Sequence, residues 1–445
     1  MEQAHPGLRP SVKTRDMLPR VGGTPLRAKP ELAMPKEPRQ AAVTKRQSLL
    51  NRFNPAIGFI IETVGGYSQR RQRFNGGSGD DANAVTGTRF PKGAFANIRT
   101  LEFFASAEVD PFVRAYFIAS MHAEGANERG TEDFGKAFFE LEEAAMQTTA
   151  LPYNLAIRAG RFFADWGYLG RRHSHDLPQI DVPPSLAQLY GNNATDGIEV
   201  SWLAPLPVFA MFTGGWGSRF GSLGEDMLSP FQQQIIQGNT FFGSARTYYE
   251  LNDDHSLELG FSAIYSPRSR VPEAEENFLA VNSDDRIDRR TFDLDFHYRW
   301  YPLGRGLRQS LSVHGEFLWD FGQGRRTTTG NTKFRKTMGG YVYGEYRLSK
   351  RWRPGFRFDW RQLPSEPALV ENVSTGLSGS TANTSGHRTT ISTYSPYITW
   401  YPSEFNRFVL QYNNIQHGNA KDNHQLFLQW QVVIGSHQHG FTERD

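Results

Sequence analysis

The chain has 445 residues, with 49 Lys and Arg against 46 Asp and Glu, which gives a formal net charge of +3. It contains no Cys, so a disulfide framework, a thiolate zinc site and a cysteine nucleophile are all excluded. The near-neutral balance produces no strong field of one sign, so binding to nucleic acid is not expected.

The first segment, residues 1–50, differs in composition from the rest of the chain. It combines frequent prolines with eight Arg and Lys residues from Arg9 to Arg39 and has no continuous apolar stretch of the kind a signal peptide needs. The prolines are Pro6, Pro10, Pro19, Pro25, Pro30, Pro35 and Pro38. We predict a disordered or loosely docked, basic, Pro-rich extension over 1–50, followed by one domain over 51–445.

From Phe53 onward, apolar residues recur at every second position in sixteen candidate strands. In the last of them, apolar residues occupy one face and glutamines most of the other. The apolar face holds Leu426, Leu428, Trp430, Val432 and Ile434, and the opposite face holds Gln425, Phe427, Gln429 and Gln431. Pro354 and Pro396 fall inside candidate strands, where each would remove a ladder hydrogen bond unless a bulge accommodates it.

The connections between candidate strands alternate between short and long. The short ones carry turn residues, as at Asn252–Asp254 and Ser349–Arg351, whereas long polar segments such as 166–195 and 363–390 lie between them. The longest nearly continuous apolar run, Leu203–Phe212, is too short for a membrane-spanning helix, but a membrane barrel needs none. We therefore predict an all-β fold: a transmembrane antiparallel up-and-down barrel of about sixteen strands, with short periplasmic turns and long extracellular loops. Fourteen or eighteen strands remain open.

The faces predicted to point into this barrel carry charges of both signs. A barrel of about sixteen strands encloses a water-filled lumen unless loops fill it, so these charges are either a selectivity filter or a hydrated lining without selectivity. The predicted pore-lining residues are Glu140, Glu142, Arg158, Asp293, Asp295, Arg299, Glu316, Arg353, Arg357 and Asp359.

The third long connection, 166–195, carries His173 and His175 with Asp176 directly after them. Two imidazoles and a carboxylate suit a borderline metal, so we predict a metal site at these residues, against a solvated or loop-packing role. The sequence makes no cofactor certain, and zinc is the one candidate. By analogy with sixteen-stranded porins, this connection is expected to fold into the lumen and narrow it.

Residues 160–205, which begin GRFFADWGYLGRRHSHD, resemble a family of bacterial outer-membrane porin-like β-barrels that is also called zinc-regulated TonB-dependent outer membrane receptors. NPAIGFIIETVGGY at 54–67 looks like the opening strand of that family, and 138–163 and 424–441 are similar to its fourth and fifth strands and its end. The resemblance is good at both ends and weak between about 216 and 400. It implies a location in the bacterial outer membrane, here without a plug domain, because only about 50 residues precede the barrel.

The function predicted from these features is a porin-like channel for passive or facilitated passage of small solutes or ions, with metal (zinc) uptake as its sharper form. The alternative is a scaffold barrel that sheaths or docks a periplasmic partner protein, such as an electron carrier, at the N-terminal extension. A lumen plugged by loops would favour the scaffold, and an open water path the channel. No enzymatic motif was found, so we predict no catalysis. The other predicted partners are the lipid bilayer and lipopolysaccharide, and the oligomeric state remains open.

Overall fold

The computed structural model describes the chain over ten ranges. These are residues 55–69, 93–123, 137–187, 193–221, 236–270, 286–305, 308–325, 332–362, 390–417 and 422–435. The predicted extension over 1–50 lies outside the described residues, as do many residues of the long connections other than the one between β5 and β6.

Sixteen strands lie within the described ranges, at the positions where the sequence alternates between apolar and polar residues. The first eight are β1 (Ala56–Ser68), β2 (Gly93–Glu108), β3 (Val113–Ala123), β4 (Ala137–Thr148), β5 (Leu155–Phe163), β6 (Ala194–Leu203), β7 (Phe209–Phe220) and β8 (Ile236–Asn252). The second eight are β9 (His255–Arg270), β10 (Arg286–Trp300), β11 (Ser310–Arg325), β12 (Thr332–Arg347), β13 (Trp352–Gln362), β14 (Thr390–Ser403), β15 (Asn406–His417) and β16 (Asn423–Gly435). A short helix, α1 (Pro184–Ala187), lies between β5 and β6.

The strands form a closed antiparallel barrel. Each strand pairs with its neighbours in the chain, and the first strand pairs with the last, in a register that runs from Gly58 opposite Gly435 to Ser68 opposite Gln425. This closure leaves no free sheet edge. It confirms the predicted fold class and the count of sixteen strands.

The two faces of the sheet differ as the alternation predicts. In β16, Leu428 is 53% exposed on the outer surface, whereas the next residue, Gln429, is fully buried inside. The same holds in β10, where Leu294 is half exposed and Asp293 and Asp295 are buried. The outer surface is therefore apolar, as lipid contact requires, and the polar groups face the interior.

Aromatic rings form a ladder across the last strands of the barrel. The ring centroids of Trp352 and Trp400 lie 5.8 Å apart, those of Trp400 and Phe408 5.4 Å, and those of Phe408 and Trp430 5.6 Å. Trp352, Trp400 and Phe408 lie next to short connections, where aromatic girdles of membrane barrels lie, and Trp430 is paired with Phe408 across the sheet. None of the helices in the described ranges is long and apolar enough to cross a membrane.

The connections alternate in length around most of the barrel. Seven are short, from residues 253–254 at one extreme to 301–309 at the other, and they lie at one rim. At the opposite rim two connections depart from the predicted alternation, because 326–331 and 418–422 are also short, and the second of these was not recognised from the sequence. The connection between β5 and β6, residues 164–193, is one of the longest, and many of its residues are buried against the inner face of the barrel.

Candidate functional site

Residues 164–187 of the connection between β5 and β6 lie inside the barrel, and we call this segment the strap. Trp166, Leu169, Leu177 and Leu186 are buried in one cluster with side chains from the barrel wall. Its polar groups bond to inward-facing residues of β2, β4, β8, β11, β13 and β15, as described below. The prediction that the third long connection folds into the lumen is thereby confirmed.

The start of the strap is fixed to β8 and β11. Glu316 Oε1 accepts hydrogen bonds from the backbone N–H groups of Tyr168 and Leu169, both at 2.7 Å. Arg246 donates to the carbonyl oxygen of Gly167 and, at 3.3 Å, to Asp165 Oδ1. These bonds satisfy backbone groups that the irregular strap would otherwise leave unpaired inside the molecule.

Gly167 is placed where the strap approaches the wall most closely. Its φ of +63° is a left-handed conformation that glycine adopts without strain. A Cβ atom there would lie 3.4 Å from Glu316 Oε2 and 3.5 Å from Asp293 Oδ2. The glycine therefore lets the chain turn directly against two buried carboxyl groups.

Asp165 is the buried acid of this first attachment. Burial opposes its ionisation, but the guanidinium groups of Arg246 and Arg171 outweigh burial and hold the pKa of Asp165 below its ordinary value. Ser244 and Thr213 also donate to Oδ2, at 2.9 and 3.1 Å. Asp165 is therefore a carboxylate at neutral pH.

The middle of the strap is bound to β13 and β15 through Asp181. Arg357 is fully buried, and its Nη2 lies 3.0 Å from the Asp181 carboxylate while its Nη1 donates to the Asp181 carbonyl oxygen at 2.8 Å. Gln411 and Asn413 of β15 donate to the same carboxylate. Three side chains of β13 and β15 thus donate hydrogen bonds to one carboxylate of the strap.

The end of the strap, α1, rests on β12 and β13. Asp359 Oδ2 accepts from the backbone N–H and the hydroxyl of Ser185, at 3.1 and 2.8 Å. Arg361 donates to the carbonyl oxygen of Pro184 at 3.1 Å. Charged residues of β13 therefore hold the end of the strap, close to β11, which holds its start.

A histidine cluster joins the strap to β2 and β4. His173 Nδ1 lies 2.5 Å from Glu142 Oε2 and 3.7 Å from Glu102 Oε2, and its Nε2 lies 2.9 Å from Glu143 Oε1. His175 Nδ1 lies 3.1 Å from Glu102 Oε2. Both imidazoles are buried. Burial opposes the charged form of His173, but Glu142 and Glu102 outweigh burial and raise its pKa well above the ordinary value.

The three residues that the sequence predicted to bind a metal therefore lie close together, but only His173 belongs to a group of mutually close ligand atoms. Ligand atoms of His173, Glu102 and Glu142 lie within 4.8 Å of one another. Asp176 is outside this set, with its Oδ1 3.5 Å from His175 Nε2. The metal assignment at His173, His175 and Asp176 stays a prediction.

Most of the predicted pore-lining residues contact the strap or another side chain. Glu142, Glu316, Arg357 and Asp359 bond the strap directly. Arg158 pairs with Glu199 at 2.8 Å and also donates to the Phe163 carbonyl oxygen, and Asp295 pairs with Arg246 at 3.0 Å. Asp293 is buried beside Gly167, and Glu140 is partly exposed opposite Ser120.

Two predicted residues lie towards the short-turn rim. Arg299 is partly exposed and its Nε lies 3.4 Å from His297 Nε2, while Arg353 is partly exposed and pairs with Glu345 at 3.5 Å. These side chains are not covered by the strap to the same degree as Arg357 and Asp359. The charged interior thus divides into a tightly paired region at the strap and a more accessible region near the short turns.

Several functional residues were missed by sequence reasoning. Glu102 and Glu143 complete the histidine cluster, and Asp165 and Asp181 provide the carboxylates of the two main attachments. Glu102 alternates with Thr100 and Phe104 on the inward face of β2, so strict alternation could have identified it. The two aspartates lie in irregular chain, where alternation has no meaning.

Comparison with known proteins found the same fold. No protein-family model matches the chain. A protein of uncharacterised function from Aquifex aeolicus (strain VF5) is 24% identical over 360 residues, which are 77% of this chain and 69% of that protein. The outer membrane channel DcaP of Acinetobacter baumannii has a TM-score of 0.52 at 10% identity, covering 86% of this chain and 97% of its own. An anion-selective porin from Comamonas acidovorans has a TM-score of 0.50 at 8% identity, covering 86% and 99%.

These structural likenesses concern the fold, which is a porin-type barrel. No match supports the name of a TonB-dependent receptor that the resemblance suggested. A closed sixteen-strand barrel with an apolar outer surface is a membrane-spanning fold of the bacterial outer-membrane type. The fold therefore supports the predicted location in the bacterial outer membrane.

Proposed function

We propose that the chain is a non-enzymatic outer-membrane channel whose lumen is narrowed by the strap. The observation that carries this proposal is that the strap crosses a closed barrel and contacts opposite walls, through Glu142 of β4 on one side and through Glu316 of β11 and Arg357 of β13 on the other. Rigid attachment holds the cross-section of a pore constant. The surrounding bilayer, with lipopolysaccharide in its outer leaflet, would contact the apolar exterior.

Small hydrophilic solutes or ions are the proposed passengers. The fold is shared with an outer membrane channel and with an anion-selective porin, although those functions belong to the neighbours. Wall charges of both signs are paired at the strap, so size should limit passage there more strongly than charge. The partly exposed Arg299 and Arg353 supply positive charge nearer the short-turn rim.

Liposome swelling tests this proposal. Vesicles containing the full-length protein are placed in solutions of neutral sugars of increasing size, and the rate of swelling reports the influx of each. We expect influx of the smallest sugars only, with a sharp decrease as size increases. A correctly folded barrel that admits no solute or ion of any size would contradict the channel and favour the scaffold that docks a periplasmic partner.

Selective uptake of zinc is the more specific form of this proposal. The support for it is that His173 and His175 lie on the strap beside Glu102 and Glu142, where the strap contacts the barrel wall. Zinc influx into vesicles loaded with a zinc-sensitive dye should exceed that of magnesium. His173→Ala with His175→Ala should reduce zinc influx relative to the sugar influx measured in the same variant. Equal zinc influx in the wild type and this double variant would contradict zinc as a selected passenger.

A further inference from the structure

We infer that the strap and the barrel wall together form a binding site for one divalent transition-metal cation, with Glu102, Glu142 and His173 as ligands and His175 beside them. The site joins the strap to β2 and β4. It goes beyond the proposed channel, because a bound ion that ties the strap in place need not be transported.

The distances between the candidate ligand atoms suit one small ion. Zinc binds nitrogen and oxygen ligands at about 2.0–2.2 Å, so two ligands of a tetrahedral ion lie roughly 3.3–3.6 Å apart. His173 Nδ1 lies 2.5 Å from Glu142 Oε2 and 3.7 Å from Glu102 Oε2. Small rotations of the two glutamate side chains would bring all three atoms to the distances that the ion requires.

The orientation of His173 supports its role as a ligand. Its Nε2 lies 2.9 Å from Glu143 Oε1, and Glu143 Oε2 accepts from the Tyr116 hydroxyl at 3.0 Å and from the Phe163 N–H at 3.2 Å. The Phe163 ring stacks on the imidazole with centroids 4.5 Å apart. A carboxylate that accepts from one ring nitrogen leaves the other for the metal, and metal-binding histidines are commonly held in this way.

His175 lies beside these three residues but outside the group of ligand atoms that are all within 4.8 Å of one another, so it would have to move closer to become a fourth ligand. Its Nδ1 lies 3.1 Å from Glu102 Oε2, and its Nε2 faces Asp176 Oδ1 at 3.5 Å. Asp176 would then support His175 as Glu143 supports His173. The resulting ligand set has two imidazoles from the strap and two carboxylates from the wall.

The local charge favours a cation. Glu102, Glu142 and Glu143 surround His173, and their side chains are 2%, 11% and 6% exposed. Arg158, which also acts on Glu143, is bound to Glu199 at 2.8 Å. A divalent ion would place positive charge directly among these buried carboxyl groups.

The chemistry of the donors selects the class of metal. Imidazole nitrogens suit Zn²⁺, Ni²⁺, Cu²⁺ and Fe²⁺, whereas Ca²⁺ and Mg²⁺ are bound by oxygen ligands. We therefore expect Zn²⁺ to bind and Ca²⁺ not to compete. Because the chain has no Cys, a competing thiolate site is excluded.

Zinc titration of the metal-stripped full-length protein in detergent tests the inference. His437 and His439 are replaced by Ala in every sample, because they could form a second site near the C-terminus. We expect one Zn²⁺ per chain by calorimetry, and visible absorption bands of a four-coordinate ion when Co²⁺ is used instead. His173→Ala and Glu142→Gln should each weaken zinc binding by at least about tenfold, since even the loss of a supporting residue costs that much.

The matched control is His424→Ala, which removes a histidine whose Nδ1 contacts the Tyr412 hydroxyl, far from the cluster. It should leave the affinity for zinc unchanged. Each variant is checked for the heat-dependent gel mobility of a folded barrel, and a variant that fails this check is replaced by Glu102→Gln. Binding that is equal in the wild type and in folded ligand variants, or no binding at all, would overturn the inference and leave His173 as an ion-pair contact.

Discussion

Arg357 is a charged residue whose position the sequence predicts and whose partner it does not. It lies on the inward face of β13, as alternation requires, and it is fully buried because it binds Asp181 of the strap. Alternation determines which face of a strand a side chain occupies. It carries no information about a partner 176 residues away in the chain.

Replacing Arg357 should loosen the strap. Arg357→Met keeps the length of the side chain but leaves the Asp181 carboxylate without its charge partner, a change that costs about 3–5 kcal/mol in a buried pair. We expect greater ion conductance with the barrel still folded. The matched control is Arg353→Met on the same strand, which loses only a partly exposed pair at 3.5 Å with Glu345 of β12 and should change conductance much less. Equal conductance of both variants would contradict the role of Arg357.

Gly167→Ala tests the turn of the strap against the wall. A side chain at a φ of +63° should cost about 1–2 kcal/mol, and relief of this strain would move the strap away from Glu316. Gly304→Ala is the control, because Gly304 has a similar φ of +76° in a short turn with nothing near its Cβ position. Both variants should lose similar thermal stability, but only Gly167→Ala should change solute influx. A change in influx of the same size in both would argue against the contact.

The contribution of the Asp165 carboxylate to the stability of the folded protein should persist at mildly acidic pH. Its pKa is held below the ordinary value of about 3.9 by Arg246 and Arg171, while Glu199 accepts from its backbone N–H. A lowered pKa stabilises the folded state above the unfolded pKa, and this contribution is lost as the pH falls through the folded value. The difference in melting temperature between the wild type and Asp165→Asn should stay constant from pH 8 to pH 5 and shrink below about pH 4. A difference that disappears by pH 5 would contradict the pairing.

At the scale of elements, the strands could be predicted from the sequence even where they contain a proline, which disfavours a strand. Pro354 lies in β13 beyond the last pair with β12, which is Glu345 opposite Gly355. Pro396 lies in β14 within a gap in the pairing to β15, between Tyr394 opposite Asn414 and Tyr397 opposite Gln411. Both prolines therefore lie where one neighbouring ladder is interrupted, which explains how they are tolerated.

The strap was predictable in location but not in its contacts. Its length and its place as the third long connection indicated a segment that enters the lumen, whereas its path depends on irregular backbone without periodicity. The pairing of His173 with Glu142 and Glu143, and of Ser185 with Asp359, joins distant parts of the chain. Such contacts depend on closure of the barrel, which brings β2, β4 and β13 around one lumen.

A disulfide can test whether α1 docks on β12. A Cβ built at Gly339 lies 3.0 Å from the Ser185 Cβ, near the separation of about 3.5–4.5 Å found in disulfides. Because the chain has no native Cys, Ser185→Cys with Gly339→Cys should form one crosslink on mild oxidation. Thiol labelling before and after reduction measures it.

Ser185→Cys with Gly344→Cys is the matched control for this crosslink. Gly344 lies further along β12, and the nearest atoms to its Cβ position belong to β11. This pair should keep both thiols reactive under the same oxidation. Equal crosslinking of the two pairs would show that the strap does not hold a fixed position on β12.

At the scale of the whole molecule, the sixteen strands form a closed barrel with an apolar outer surface and a charged interior. The period of two along sixteen segments was enough to predict this cylinder, because lipid and lumen select opposite residue types on the two faces of every strand. The sequence did not reveal how fully the strap would pair the interior charges. By these pairs the barrel wall holds the strap inside the lumen, which is therefore narrower than the lumen of an unfilled barrel of sixteen strands.

Planar-bilayer conductance with the strap shortened tests this account most directly. Residues 171–187 are replaced by a short Gly and Ser linker, which removes the attachments to Arg357, Asp359 and the histidine cluster while keeping all sixteen strands. The wild type should form small, stable channels, and the shortened protein should form distinctly larger ones. Equal conductance of the two folded proteins, or no conductance from either, would contradict a channel that the strap constricts.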